Sequence, residues 1–182
     1  MNYEILTGYL QQCDSCQQVR VYLVADSVQQ GINPNLVFVN VENCHEYYGA
    51  DSLVLYVSTD TNQLAKPDGF EERAQNWLDI LAKADSANRT IWAYTFDRAT
   101  FYNAATDSLG NVLMEYAYHT NMHLRLSEPV VGKMIFDMVV RNAESKTYED
   151  FASPCPYICG DGGVMRSFYP ALSLGKTRKG AL

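Results

Sequence analysis

The residues best equipped for chemistry are the cysteines. Cys13 and Cys16 form a CxxC (CDSC), Cys155 and Cys159 a CxxxC (CPYIC), and Cys44 adjoins His45. Two close thiol pairs far apart in sequence can meet as a four-thiolate zinc site, stapling the N-terminal segment to the C-terminal one. The looser second spacing keeps open the plainer reading of buried or free thiols with no shared task. A thioredoxin-like role for CDSC requires a strand before it and a helix after it. Zinc is the one cofactor the sequence suggests.

His119 and His123 have the spacing of a helical metal pair, but they lie in a stretch of period two. On a strand, residues four apart share a face yet stand about 13 Å apart, too far for one zinc with bonds of about 2.1 Å. A polar stripe of Glu115, His119, Asn121, His123 and Arg125, solvated or facing a subunit, accounts for them better. Asp26, Asp51, Asp60 and Asp97 fall in or at the ends of expected strands, where Asp26 and Asp60 suit turns and loops more than a catalytic pair. The DGG at 161–163 lacks the strand-to-helix setting of a phosphate loop. Neither a GxSxG elbow nor a Walker motif is present.

The elements that must position these residues follow from hydrophobic rhythm. Residues 2–11 suit a helix through Tyr3, Leu6 and Leu10, and a strand through Ile5, Thr7 and Tyr9. Residues 19–25 are β-branched and apolar enough for a strand that stops at Asp26, and 36–41 and 53–57 are apolar runs with little alternation, as expected of central strands covered on both faces. A polar loop is expected over 59–66. Asp68, with Glu71 three residues on, then opens a helix whose stripe of Phe70, Ala74, Trp77, Leu78 and Leu81 should lie on the sheet.

The largest expected element is an antiparallel hairpin over about 90–126. Trp92, Tyr94 and Phe96 share one face, as do Val112, Met114, Tyr116 and Tyr118. A turn at Asp107 and Gly110 pairs Tyr94 with Leu124 and Tyr102 with Tyr116. Each arm is roughly 15 residues, about 50 Å, against a usual strand of about five or six. A helix is expected over 130–142 after Pro129, with a strand over 133–141 as the competitor. From 145 onward, Pro154, Pro156, Gly160, Gly162 and Gly163 oppose regular structure, while Tyr157, Phe168 and Tyr169 are anchors spaced along an extended arm.

These readings combine into an α+β fold. A single domain over 1–144 has an antiparallel sheet dominated by the hairpin, with one or two helices packed on it, and residues 145–182 form a C-terminal arm. The chain has 182 residues, 47% of them apolar and 19% charged, which is room and material for one core. Net charge is −7, against a surface built to grip phosphate. Thirteen tyrosines against six lysines favour contact with other protein. An odd count of five cysteines and the absence of any membrane-length apolar run fit a soluble protein made in a reducing cytoplasm.

The expected role is a non-enzymatic structural subunit of a symmetric assembly, in the style of phage tail tubes, tail terminators or neck proteins. Its partners would be copies of itself and other proteins of the assembly, with DNA passing an acidic lumen rather than being bound by sequence. Tyr116, Tyr118, His119, His123, Arg125, Tyr157, Phe168 and Tyr169 are the expected subunit contacts. The alternative is a small zinc-stapled binding module, or an enzyme using the two cysteine pairs.

Overall fold

Residues 19–25 supply the central strand of the molecule, β1 (Gln18–Val24), and its sequence shows why. Six consecutive positions, Val19 to Val24, are buried, so the strand is covered on both faces and cannot alternate. The computed structural model describes residues 1–30, 33–43, 45–47, 52–84, 93–105, 112–118, 136–142, 148–149 and 153–155. Around β1 stand α1 (Tyr3–Leu10), β2 (Asn35–Glu42), β3 (His45–Glu46), β4 (Val54–Val57), β5 (Asn62–Ala65) and α2 (Phe70–Ala84). Then come β6 (Ala93–Asp97), α3 (Arg98–Ala105), β7 (Val112–Tyr118), β8 (Phe136–Asn142), β9 (Tyr148–Glu149) and β10 (Ser153–Cys155).

The main sheet runs β10-β6-β1-β2-β4-β5, with β3 on a free stretch of β2, and every pairing in it is antiparallel. A second antiparallel sheet runs β7-β8-β9. The expected α+β class with an antiparallel sheet is therefore the observed one.

Register sorts the core into two layers. Val21 is opposite both Phe38 and Tyr94, and Phe38 is opposite Leu55, so these side chains share one face. Leu6, Tyr9 and Leu10 of α1, Phe101 and Ala104 of α3, and Met138 and Val140 of β8 close over that face. On the other face Tyr22, Val37, Val39 and Tyr56 meet Phe70 and Ala74 of α2.

Local chemistry explains the helices. At α1 the Asn2 carboxamide accepts from the Glu4 and Ile5 amides at 2.8 and 3.3 Å, satisfying two donors the first turn leaves open. That cap and the i, i+3, i+4 burial of Leu6, Tyr9 and Leu10 settle the ambiguity of 2–11 in favour of helix. Helix α2 buries Phe70, Ala74 and Trp77 as expected, and also Ile80. It starts after Gly69, whose φ of +82° is the left-handed geometry glycine adopts without strain.

Several expectations are corrected. The long hairpin does not form. Tyr94 already has Val21 on one side and Pro154 on the other, so no edge of β6 is left for a strand from 112–126. The chain turns into α3 directly after β6, and Tyr102, expected opposite Tyr116, belongs to that helix. Strand β7 pairs with β8 instead, Tyr116 opposite Met138. The turn residues Asp107 and Gly110 lie outside the described residues.

Helix over 130–142 is likewise replaced from 136 by β8, in which Met138 and Val140 are both buried. That is the period-two competitor. The loop expected over 59–66 contains the edge strand β5. Within the expected arm, Tyr148–Glu149 pairs with β8 and Ser153–Cys155 with β6. Pro154 is tolerated there because β10 is the last strand of its sheet among the described residues, and an edge strand can spare an outward amide.

Candidate functional site

Three places concentrate polar or reactive groups. The first is the CDSC loop between α1 and β1. Cys13 and Cys16 are joined in a disulfide, and both residues are buried. A helix precedes the motif and a strand follows it, the reverse of the thioredoxin order. The loop folds around Arg98, the first residue of α3. Its Nη1 donates to the carbonyls of Cys13 at 2.6 Å, Cys16 at 3.0 Å and Asp14 at 3.4 Å. Its Nη2 donates to the Leu10 carbonyl at 2.6 Å, and the Arg98 amide donates to the Gln17 carbonyl at 2.8 Å. A planar fork with several donors suits such a ring of carbonyls, because they converge on it from different directions. The guanidinium also approaches the Tyr102 hydroxyl at 3.0 Å.

Among the described residues, Cys155 is not brought to Cys13 and Cys16. Cys155 is opposite Ala93, which is opposite Tyr22, six residues along from Cys16. That offset is about 20 Å at roughly 3.3 Å per residue, many times a zinc–sulfur bond. With its sulfurs joined, the first pair offers no thiolate, and Cys159 and Cys44 lie outside the described residues. Among the described residues no group of three or more His, Cys, Asp or Glu side chains is arranged to hold a metal ion.

The second place is an ion pair inside the sheet. Arg20 Nη1 meets Glu46 Oε1 at 2.8 Å, with the two side chains 4% and 1% exposed. Arg20 Nε donates to Thr95 Oγ1 at 3.2 Å, and the Tyr22 hydroxyl donates to the same carboxylate oxygen of Glu46. Burial disfavours the charged guanidinium, but Tyr22 and Glu46 outweigh it, and the Arg20 pKa is raised above its ordinary value. The sequence carried a signal for this group: a charge in mid-strand within VRVYLVA must find a partner once both faces are covered. Glu46 supplies it from β3, which pairs with the end of β2.

The third place is where β1 ends. The Tyr56 hydroxyl donates to Asp26, whose carboxylate also accepts from Asn35 Nδ2 at 2.9 Å and faces Arg73 Nε at 3.2 Å. The Arg73 guanidinium lies 4.8 Å from the Tyr56 ring centroid and 5.1 Å from that of Phe70. Burial first, and then the Asp26 carboxylate, raise the Tyr56 pKa. Asn76 of α2 donates to the Ala25 carbonyl at 3.2 Å, so this network ties α2 to the sheet. Asp26 is thus more than a turn former, while Asp60 sits in the β4–β5 turn as expected.

Of the expected subunit contacts, Tyr116 and Tyr118 are on β7. His119, His123, Arg125, Tyr157, Phe168 and Tyr169 lie outside the described residues. No helix among the described residues is long and apolar enough to cross a membrane.

One surface feature was not anticipated. Among the described residues the main sheet ends on β5, whose residues Asn62, Gln63, Leu64 and Ala65 include neither charge nor proline, and Leu64 is 39% exposed. Strand β10 at the opposite border carries Pro154. Compared with protein-family models, with curated proteins and with solved structures, the chain matches none of them.

Proposed function

We propose that the chain is a non-enzymatic structural subunit of a symmetric oligomeric assembly. The observation that carries this reading is the asymmetry of the main sheet: one border has the proline that blunts an edge, and the other is an uncharged strand with an exposed leucine. Proteins that work alone protect such edges with charge, proline, bulges or a covering element. A subunit uses the edge for pairing. A virion setting of the tail-tube, tail-terminator or neck type draws its support from composition, namely thirteen tyrosines and a net charge of −7 that would let DNA slide past.

The zinc-stapled or thiol-enzyme alternative has weaker support, because the register holds Cys155 far from Cys13 and Cys16. Light scattering of the purified full chain over a concentration series tests the assembly reading. The expected result is a mass that rises with concentration to a fixed multiple of the monomer; a monomer mass throughout contradicts it. Capsid, portal or tail genes beside the coding sequence are the expected sign of the virion setting, and unrelated metabolic genes would count against it.

A further inference from the structure

The edge strand specifies more than that pairing occurs. The Ser58 amide donates to the Thr61 carbonyl at 2.8 Å, closing a two-residue turn between β4 and β5. In an antiparallel ladder, hydrogen-bonded and non-hydrogen-bonded pairs alternate. Counting from Ser58 and Thr61, the pairs Val57–Asn62 and Leu55–Leu64 are the non-hydrogen-bonded ones. The backbone amides and carbonyls of Asn62 and Leu64 therefore point away from β4, and no strand among the described residues lies beyond β5.

We infer that β5 pairs with β5 of a second copy, antiparallel about a two-fold axis, with Asn62 opposite the second copy's Leu64 and Gln63 on the axis. Outward-pointing residues must face each other, which leaves three registers. Leu64 opposite Leu64 sets Lys66 against Asn62 and leaves Asp60 without an opposite charge. Asn62 opposite Asn62 sets Asp60 against Leu64 and leaves both flanking charges unmatched. Asn62 opposite Leu64 brings Asp60 level with Lys66, and symmetry makes that favourable match twice. Both Asp60 and Lys66 are exposed and flank the strand, Asp60 in the β4–β5 turn and Lys66 directly after Ala65. Leu64 and the second copy's Leu64 then lie diagonally on the same face of the joined sheet, beside the two Asn62 side chains. Four residues make a short seam, so it gives a weak, salt-sensitive association that larger contacts of an assembly would reinforce.

This inference rests on the assembly reading and names its partner and its seam. Sedimentation velocity of the full chain at low ionic strength tests it with Asp60→Lys, Lys66→Asp, their equimolar mixture and the double variant. Each single variant sets like charges against each other and should weaken association about tenfold. The mixture puts two lysines against two aspartates and should restore it, as should the double variant. Single variants that associate like the parent overturn the seam, as does a mixture that fails to recover. If the parent oligomerises and the variants do not differ from it, only the seam falls; a parent that is monomeric at every concentration removes the assembly reading as well. Hydrogen exchange gives a second readout: the Asn62 and Leu64 amides should slow as concentration rises. Equal protection in the dilute monomer means that the chain covers its own edge, and overturns the seam.

Discussion

Arg20 is a charge placed where water cannot reach it, and the residues around it exist in part to make that tolerable. Breaking such a pair from one side leaves the other charge stranded. Glu46→Gln should therefore cost about 3–5 kcal/mol of unfolding free energy, read from the urea midpoint. The paired replacement Arg20→Met with Glu46→Leu should cost clearly less than the sum of the two single changes, because it removes both charges together. A simple sum would mean that the two side chains do not act as a unit.

Tyr9 and Tyr56 give a second test at this scale. Burial raises the pKa of each above the ordinary tyrosine value of about 10. The neutral phenol is the form the fold favours, so its contribution is complete below about pH 10 and is lost as pH rises through the folded-state value. Stability should fall above about pH 10, and Tyr9→Phe should make that fall shallower. The buried Tyr9 hydroxyl has the Asn40 backbone beside it without a well-formed hydrogen bond, so the same substitution should leave stability near neutral pH within about 1 kcal/mol of the parent. A loss of more than about 1 kcal/mol near pH 7 would show that the hydroxyl is satisfied. Little of this was legible in the sequence. The mid-strand charge demanded a partner, but nothing near Glu46 marked it as the one, because β3 is only two residues long.

Among the elements, Arg98 is the joint. It gathers the end of α1, the CDSC loop and the start of α3 onto one guanidinium. Arg98→Met should leave those carbonyls without their donor and cost roughly 2–4 kcal/mol, and Arg98→Lys should recover only part because one ammonium cannot span the ring. Full recovery by lysine would mean that charge alone matters there. The elements that were legible are those with one dominant pattern: the continuous apolar runs of β1, β2 and β4, and the helical stripe of α2. The failures share a cause. In 90–126 the strands are real at 93–97 and at 112–118, but they are separated by 98–105, where Thr100, Phe101 and Ala104 are buried at helical spacing. Even-to-even matching then looked consistent although both true partners, β1 and β8, lay elsewhere in the chain. For 136–142 a proline upstream was weighted above alternation, and alternation was the better guide.

At the scale of the whole molecule, the expected 90–126 ribbon would have left spare surface for other copies, but among the described residues β6 pairs with β1 and β10 and β7 pairs with β8. The reading stands on the β5 border, beyond which no strand lies among the described residues, and its two polar residues followed by Leu64 and Ala65 give no alternation by which the sequence could mark a strand. What decides it is tertiary: β4 folds back through a two-residue turn into β5, beside which no further strand lies among the described residues. Native mass spectrometry of the full chain over a concentration series measures the central claim most directly. The account predicts a discrete multimer of even copy number that grows at the expense of monomer. A single monomeric species at every concentration would contradict it.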